Sequence, residues 1–296
     1  MPLEIRRLNT CTFDQALRTW DEGFSDYAVD VTLSLDGFLS RLAAEAISPE
    51  YSFMAFQDDR PVGFLLNAIG FIGGRNVAWN GGTAVIPEFR SRGVAAALME
   101  ATIELYRELG VETATLEAIS GNTKAIALYR RFGYQVIDEL VFLRHQTALD
   151  PRAFEVKSSG EYSVREVSPE AVAQLGFYQH TAPWQSQSTV RSRKGAGALI
   201  VLDREGKEVG YALYQRTFDD QGLLVRLVLC QCGVNGRHSD TRAIVATALQ
   251  TVYAPLAFQC TRTTHNLSTS NKALIELLLK LGFEPFVEQV QMTRSI

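Results

Sequence analysis

Apolar residues along this chain recur with two periods, and the points where one gives way to the other mark its elements. A β-rich run from Val77 to Ile86 stops at Pro87, and beyond Gly93 the residues Val94, Leu98, Ala101, Leu105 and Leu109 fall at helical spacing. Strand, loop and helix are predicted in that order. Thr113 to Ala118 then reads as a short apolar strand. Asn122 is a suitable N-cap, Ala125, Leu128, Tyr129 and Phe132 share one helical face, and Gly133 supplies the glycine that ends the helix. Nearer the start, Thr12 and Gln15 form a capping box for a helix carrying Phe13, Leu17, Trp20 and Phe24 on one side, and a second helix is expected near Phe38 to Ala46.

The pattern repeats. Val62-Gly63-Phe64 has an echo in Val209-Gly210-Tyr211, at an offset of 147, and Asn122 with Gly133-Tyr134 has an echo in Asn271 with Gly282-Phe283, at an offset of 149. Two copies of one fold explain such agreement. The polar stretch between His145 and Tyr162 interrupts the apolar pattern, so domains are expected over 1–147 and 160–296 with a linker at about 148–159. A chain of 296 residues that is 46% hydrophobic is long enough for both cores.

Composition narrows the classes. A formal net charge of −4 does not suggest a general nucleic-acid surface. No apolar run is long enough to cross a bilayer and the start MPLEIRR has no signal-peptide core, so a soluble cytoplasmic protein without a membrane partner is expected. Cys11, Cys230, Cys232 and Cys260 are too few and too irregularly placed for a disulfide scaffold, and Cys230 and Cys232 lack further ligands at metal spacing. Buried thiols and no metal are expected.

Candidate chemistry sits in two places. The loop before the helix at Gly93 turns backbone N–H groups outward, and the helix dipole adds positive potential. Small residues at Gly93 and Ala95 let a diphosphate reach the main chain, while Arg90 and Arg92 add charge. Taken alone, that turn is equally readable as a solvated basic loop. Tyr129 is either a core aromatic or a phenol able to protonate a leaving thiolate. Glu117 is either a solvent-facing carboxylate at a strand edge or a base.

Arg90, Ser91, Arg92, Gly93, Val94 and Ala95 match the motif R/Q-x-x-G-x-G/A, and Asn122, Ala125, Leu128, Tyr129, Gly133 and Tyr134 match N-x-x-A-x-x-L-Y-x-x-x-G-F/Y. In this order and spacing the chain resembles the GNAT family of acyl-CoA-dependent N-acetyltransferases. The resemblance implies an α/β (α+β) fold of two GNAT-like domains, each a mixed, bent and splayed β-sheet flanked by helices. It implies acetyl-CoA as cosubstrate, bound by Val85, Ile86, Arg90, Ser91, Arg92, Gly93, Val94, Ala95, Asn122 and Ala125. Many members carry a glutamate on the fourth strand, where this chain reads Trp79, Asn80, Gly81, Gly82 and Thr83. Glu117 is the remaining candidate base. The phrase LEAISGN resembles that of the ribosomal-protein N-terminal acetylases, which pair a glutamate base with a tyrosine acid, here Tyr129.

The acceptor is less legible. The first two helices border the acceptor groove in this family, and Asp21, Glu22, Asp26 and Asp30 are interleaved there with Phe24 and Tyr27. Trp20, Phe24, Asp26, Tyr27 and Asp30 are the candidates for a cationic amine: a small amine, an amino-acid derivative or a peptide N-terminus. An ordinary solvated acidic face reads the same way. In the second half Gly93 maps near Thr241, Tyr129 to Leu278 and Glu117 to Asn266, so that half is expected to be a scaffold that walls the acceptor pocket or mediates homodimerisation. An acyl-CoA sensor without turnover is the alternative from another class.

Overall fold

The computed structural model describes residues 3–26, 31–187, 195–236 and 238–296. Two compact units emerge: one of Met1–Ala118, Asn122–Ile137 and Met292–Ile296, the other of Ile119–Gly121 and Asp138–Gln291. The division differs from the expected seam at 148–159. The first unit gives up its chain at Asp138 and takes back the last five residues, because a strand of each sheet comes from the far half of the sequence.

The first unit runs β1 (Leu3–Arg7), α1 (Phe13–Gly23), α2 (Leu35–Ala44), β2 (Phe53–Gln57), β3 (Arg60–Ile72), β4 (Arg75–Val85), α3 (Val94–Glu108), β5 (Thr113–Ile119) and α4 (Thr123–Arg131). Its strands lie in the order β1-β2-β3-β4-β5, antiparallel up to β4, with β4 and β5 parallel. Beyond β5 comes the C-terminal end of the last strand, where the Ile296 N–H donates to Glu112 O at 3.2 Å and Thr293 Oγ1 to Ala114 O at 3.3 Å. Helices α1 and α3 pack on β3 and β4. The capping box at α1 forms as expected, Thr12 accepting from the Gln15 N–H and Gln15 from the Thr12 N–H. The buried stripe of α1 is Ala16, Thr19, Trp20 and Gly23, whereas Phe13 at its outer end is 40% exposed.

The second unit begins with most of β6 (Gln135–His145) and continues through β7 (Ser163–Val167), the single-turn α5 (Pro169–Val172), β8 (Ala196–Leu202), β9 (Glu208–Phe218), β10 (Leu224–Val234), α6 (Thr241–Val252), β11 (Thr261–Thr264), β12 (Leu267–Ser268), α7 (Lys272–Lys280) and β13 (Glu284–Ser295). Its strand order is β6-β11-β10-β9-β8-β7, with β10 and β11 the parallel pair. Wholly buried Arg262 ties this unit's entry segment to its core, its guanidinium donating to the carbonyls of Thr147 at 3.0 Å, Pro255 at 2.8 Å and Phe258 at 2.9 Å.

The repeat has a packing reason. A Cβ at Gly63 would lie 2.9 Å from Ala84 O and 3.2 Å from a methyl of Val94, and one at Gly210 would run into the side chain of Ile244. Each glycine lets the following helix settle on its strand. Gly133 and Gly282 share a φ of +83° just past their helices, the left-handed conformation that favours glycine.

Candidate functional site

Within the first unit the β4–β5 ladder runs only from Val77↔Thr113 to Asn80↔Leu116. The ladder stops where β4 carries a bulge: Asn80 faces Asn67 and Gly82 faces Leu66, so Gly81 is the extra residue. Glycine is required there because a Cβ would overlap the Trp79 indole. Asn80 holds the bulge, its Oδ1 accepting from the Gly82 N–H at 3.1 Å and its Nδ2 donating to Thr83 Oγ1 at 2.9 Å. The parallel strands therefore part after Asn80, as the splayed sheet requires. Within the Trp-Asn-Gly-Gly stretch, the adjacent glycines in a strand are the sequence signal for the bulge.

Glu117 directly follows Leu116, the last paired residue on β5. The alternating burial of β5 puts Ala114, Leu116 and Ala118 on the covered face and Glu117 on the other, half-buried. Its Oε2 accepts from the Trp79 indole N–H at 2.7 Å. The carboxylate is thus held by a buried donor on the neighbouring strand and is not a solvent-facing edge residue.

The β4–α3 connection makes a turn of 3₁₀ helix over Pro87–Phe89 and then enters α3 through Gly93, whose φ is +86°. Ser91 also has a positive φ, +61°. Gly93 is the N-cap, no side chain caps the helix, and a Cβ at Gly93 would meet nothing within 4 Å. The first turn of α3 therefore has no side-chain cap among the described residues and open space beside Gly93, with Ala95 half-buried and Val94 packed inward. Exposed Arg92 lies with its guanidinium 5.3 Å from the Phe89 ring centre.

Arg90 is placed differently from expectation. Its guanidinium grips Asp26 through two bonds of 2.6 and 2.7 Å and donates to Gly23 O at 2.9 Å and Val85 O at 3.0 Å. The charge expected to meet a phosphate is spent on fastening the loop to the end of α1. Asp26, expected at the acceptor side, is the partner; the guanidinium holds its carboxyl below the usual aspartate range, and Arg90 is raised in turn. The backbone at the end of β4 is engaged as well. The Ile86 N–H donates to Val62 O at 3.0 Å and Val85 O receives Arg90, so neither group is open to a ligand amide. In an antiparallel ladder successive residues alternate direction, which turns the Val85 N–H away from β3.

Asn122 caps α4, its Oδ1 accepting from the Ala125 N–H at 3.2 Å. Ile126 and Tyr129 form the buried stripe of α4, flanked by half-buried Ala125 and Leu128. Ile126 went unmarked in the sequence. Tyr129 lies 6.1 Å, ring to ring, from Tyr134, whose buried hydroxyl has no hydrogen-bond partner among the described residues and is pushed well up by burial.

On the acceptor side Trp20 is a core residue. It is 4% exposed, stacks on Phe64 at 5.5 Å, meets Phe24 edge-on at 4.7 Å and donates its indole N–H to Val31 O at 2.8 Å. Tyr27 and Asp30 lie outside the described residues. Among the described residues no cluster of three potential metal ligands occurs, and no helix is long and apolar enough to cross a membrane. Cys230, Cys232 and Cys260 are buried and Cys11 is half-buried.

Residues 12–134 match the Acetyltransferase (GNAT) family. The chain is 34% identical over 86 residues to the N-alpha-acetyltransferase MAK3 of Arabidopsis thaliana and 28% identical over 87 residues to N-alpha-acetyltransferase 30 of Schizosaccharomyces pombe; each match takes in 29% of this chain, and respectively 45% and 58% of the relative. The chain thus spans about half the length of the curated relatives it matches. A tandem GNAT protein from the clavulanic acid biosynthesis pathway shares the fold over 99% of this chain and 98% of its own, with a TM-score of 0.61 and 19% identity. The family match thus falls in the first half of the chain, and the whole chain shares the fold of a tandem GNAT protein.

Proposed function

We propose that the first unit transfers an acetyl group from acetyl-CoA to a primary amine by direct attack, in the cytoplasm and without a metal. The observation that carries this is the uncapped start of α3 behind Gly93, open to a diphosphate, on the same strand–helix unit whose β4–β5 ladder ends beside Glu117. The N–H groups of Val94 and Ala95, with that of Gly93, fit the diphosphate; Ser91 and Gly93 give the loop its backward turn, and Arg92 supplies the remaining exposed positive charge. Arg90 acts through the loop it fastens. The Val85 N–H and the capped start of α4, Asn122 to Ala125, border the path of the pantetheine arm.

An aliphatic ammonium, with a pKa of about 10, does not attack a thioester until it loses a proton. Glu117, oriented by Trp79, takes that proton directly or through water; the amine attacks the thioester carbonyl, and Tyr129 returns a proton to the departing thiolate. The curated relatives are named as N-alpha-acetyltransferases, which favours a peptide N-terminus within the amine class, ahead of a small amine or an amino-acid derivative. Phe24, half-buried at the end of α1, is the described candidate nearest that role.

Release of coenzyme A thiol from acetyl-CoA over a panel of peptides with varied N-termini and small amines tests the reading. Steady release with at least one amine supports it. Tight coenzyme A binding with no release across the panel overturns it in favour of a sensor.

A further inference from the structure

The second unit repeats the opened parallel pair. The β10–β11 ladder ends at Leu229↔Thr264, and past it a cleft of about 410 Å³ lies between Cys230–Val234 and Asn266–Leu267, a volume suited to a small molecule. Its chemistry differs from that of the first unit at both ends. Where α3 begins on an open glycine, α6 begins on Asp240, whose carboxylate is fixed by the Ser159 N–H at 2.9 Å, Ser158 Oγ at 2.9 Å and Tyr162 OH at 3.0 Å. A fixed carboxylate at that helix start repels a diphosphate.

At the inner end lies Asn266, which corresponds to Glu117 by the sequence offset of 149 between the copies. It is 2% exposed, has a φ of +50° and lines the cleft, yet among the described residues neither its Oδ1 nor its Nδ2 has a hydrogen-bond partner. Several of its polar neighbours along the cleft are satisfied within the protein. Gln231 bonds Tyr178 OH, Ser186 O and Tyr211 OH; Asn271 donates to Cys232 O; and Ser268 pairs with Ser270. A buried carboxamide with both ends unmet is a rare and unfavourable arrangement, and it is relieved by a ligand that offers an acceptor and a donor side by side. Asp138 is the one charged residue among the described lining residues, which disfavours an anion.

We propose that this cleft is a second, non-catalytic binding site for a small, phosphate-free carboxamide, neutral or bearing an ammonium group. The ligand carbonyl accepts from Asn266 Nδ2 and the ligand N–H donates to Asn266 Oδ1. An asparagine in place of the glutamate binds an amide without removing a proton.

The test is calorimetric titration of the intact protein, saturated beforehand with coenzyme A, using propionamide, glycinamide and propionate as probes. The two amides bind, and propionate binds at least about ten-fold more weakly. Asn266→Leu weakens amide binding about ten-fold or more and leaves coenzyme A binding unchanged. Should that variant fold poorly, Ser270→Trp, at an exposed position on the cleft rim, closes the entrance without touching the interior and abolishes amide binding. The proposal is overturned if neither amide binds, if coenzyme A saturation removes the binding, or if both variants bind amides as the parent does.

Discussion

The indole N–H of Trp79 donates to Glu117 Oε2 at 2.7 Å, joining β4 to β5 where their ladder has just ended. A tryptophan that is 2% exposed has little freedom to move, so the bond fixes the carboxylate at the edge of the opening. It also gives a half-buried anion a donor, which lowers the penalty of its burial.

Glu117→Gln keeps the shape and removes the base. Steady-state kinetics with a productive amine should show kcat lower by about 10²- to 10⁴-fold and an acetyl-CoA affinity close to that of the parent. Trp79→Phe should lower kcat by less, since the carboxylate stays but loses its orienting donor. Equal turnover in the glutamine variant would remove Glu117 from the reaction.

Two neighbouring tyrosines should separate cleanly. Tyr129→Phe slows turnover, by no more than about 10²- to 10⁴-fold because thiolate already leaves readily. Tyr134→Phe removes a buried hydroxyl that has no partner among the described residues and should leave stability equal or higher, with turnover preserved. Thermal unfolding alongside kinetics on both variants checks this.

The Arg90–Asp26 pair sets a pH dependence. Asp26 is lowered in the folded state, so the pair's contribution is complete above the ordinary aspartate range, at about pH 4, and fades as pH falls through the lowered value. Both side chains are partly solvated, 39% and 59% exposed, which limits the contribution to about 1 kcal/mol. Urea unfolding of parent and Asp26→Asn should show a constant small gap between about pH 5 and pH 7 that closes below about pH 4.

Gly93→Ala and Gly206→Ala form a matched pair. Both glycines have positive φ, +86° and +78°, with open space where a Cβ would go. Each substitution should lower stability by roughly 1–2 kcal/mol through left-handed strain. Only Gly93→Ala should also weaken coenzyme A binding, because only there does the methyl enter the diphosphate's space; calorimetry on both variants separates strain from contact.

Local pattern made much of this legible. The helix start at Gly93, the cap at Asn122, the stop at Gly133 and the capping box at Thr12 are each written within a few residues, and the structure contains all four. What sequence could not display were partners distant along the chain. Arg90 meets Asp26 across 64 positions and Glu117 meets Trp79 across 38, and nothing local distinguishes an arginine waiting for phosphate from one already paired. The exchange of strands at Asp138 and Met292–Ile296 was hidden for the same reason: alternation identifies a strand but does not name the strand beside it.

The central claim is that one helix start, and not its copy, holds the diphosphate of the acyl donor. Calorimetric titration of coenzyme A into the intact protein tests it most directly. The account predicts a single equivalent bound, lost in Gly93→Val and retained in Asn266→Leu. No uptake, uptake of two equivalents, or undiminished binding by Gly93→Val would contradict it.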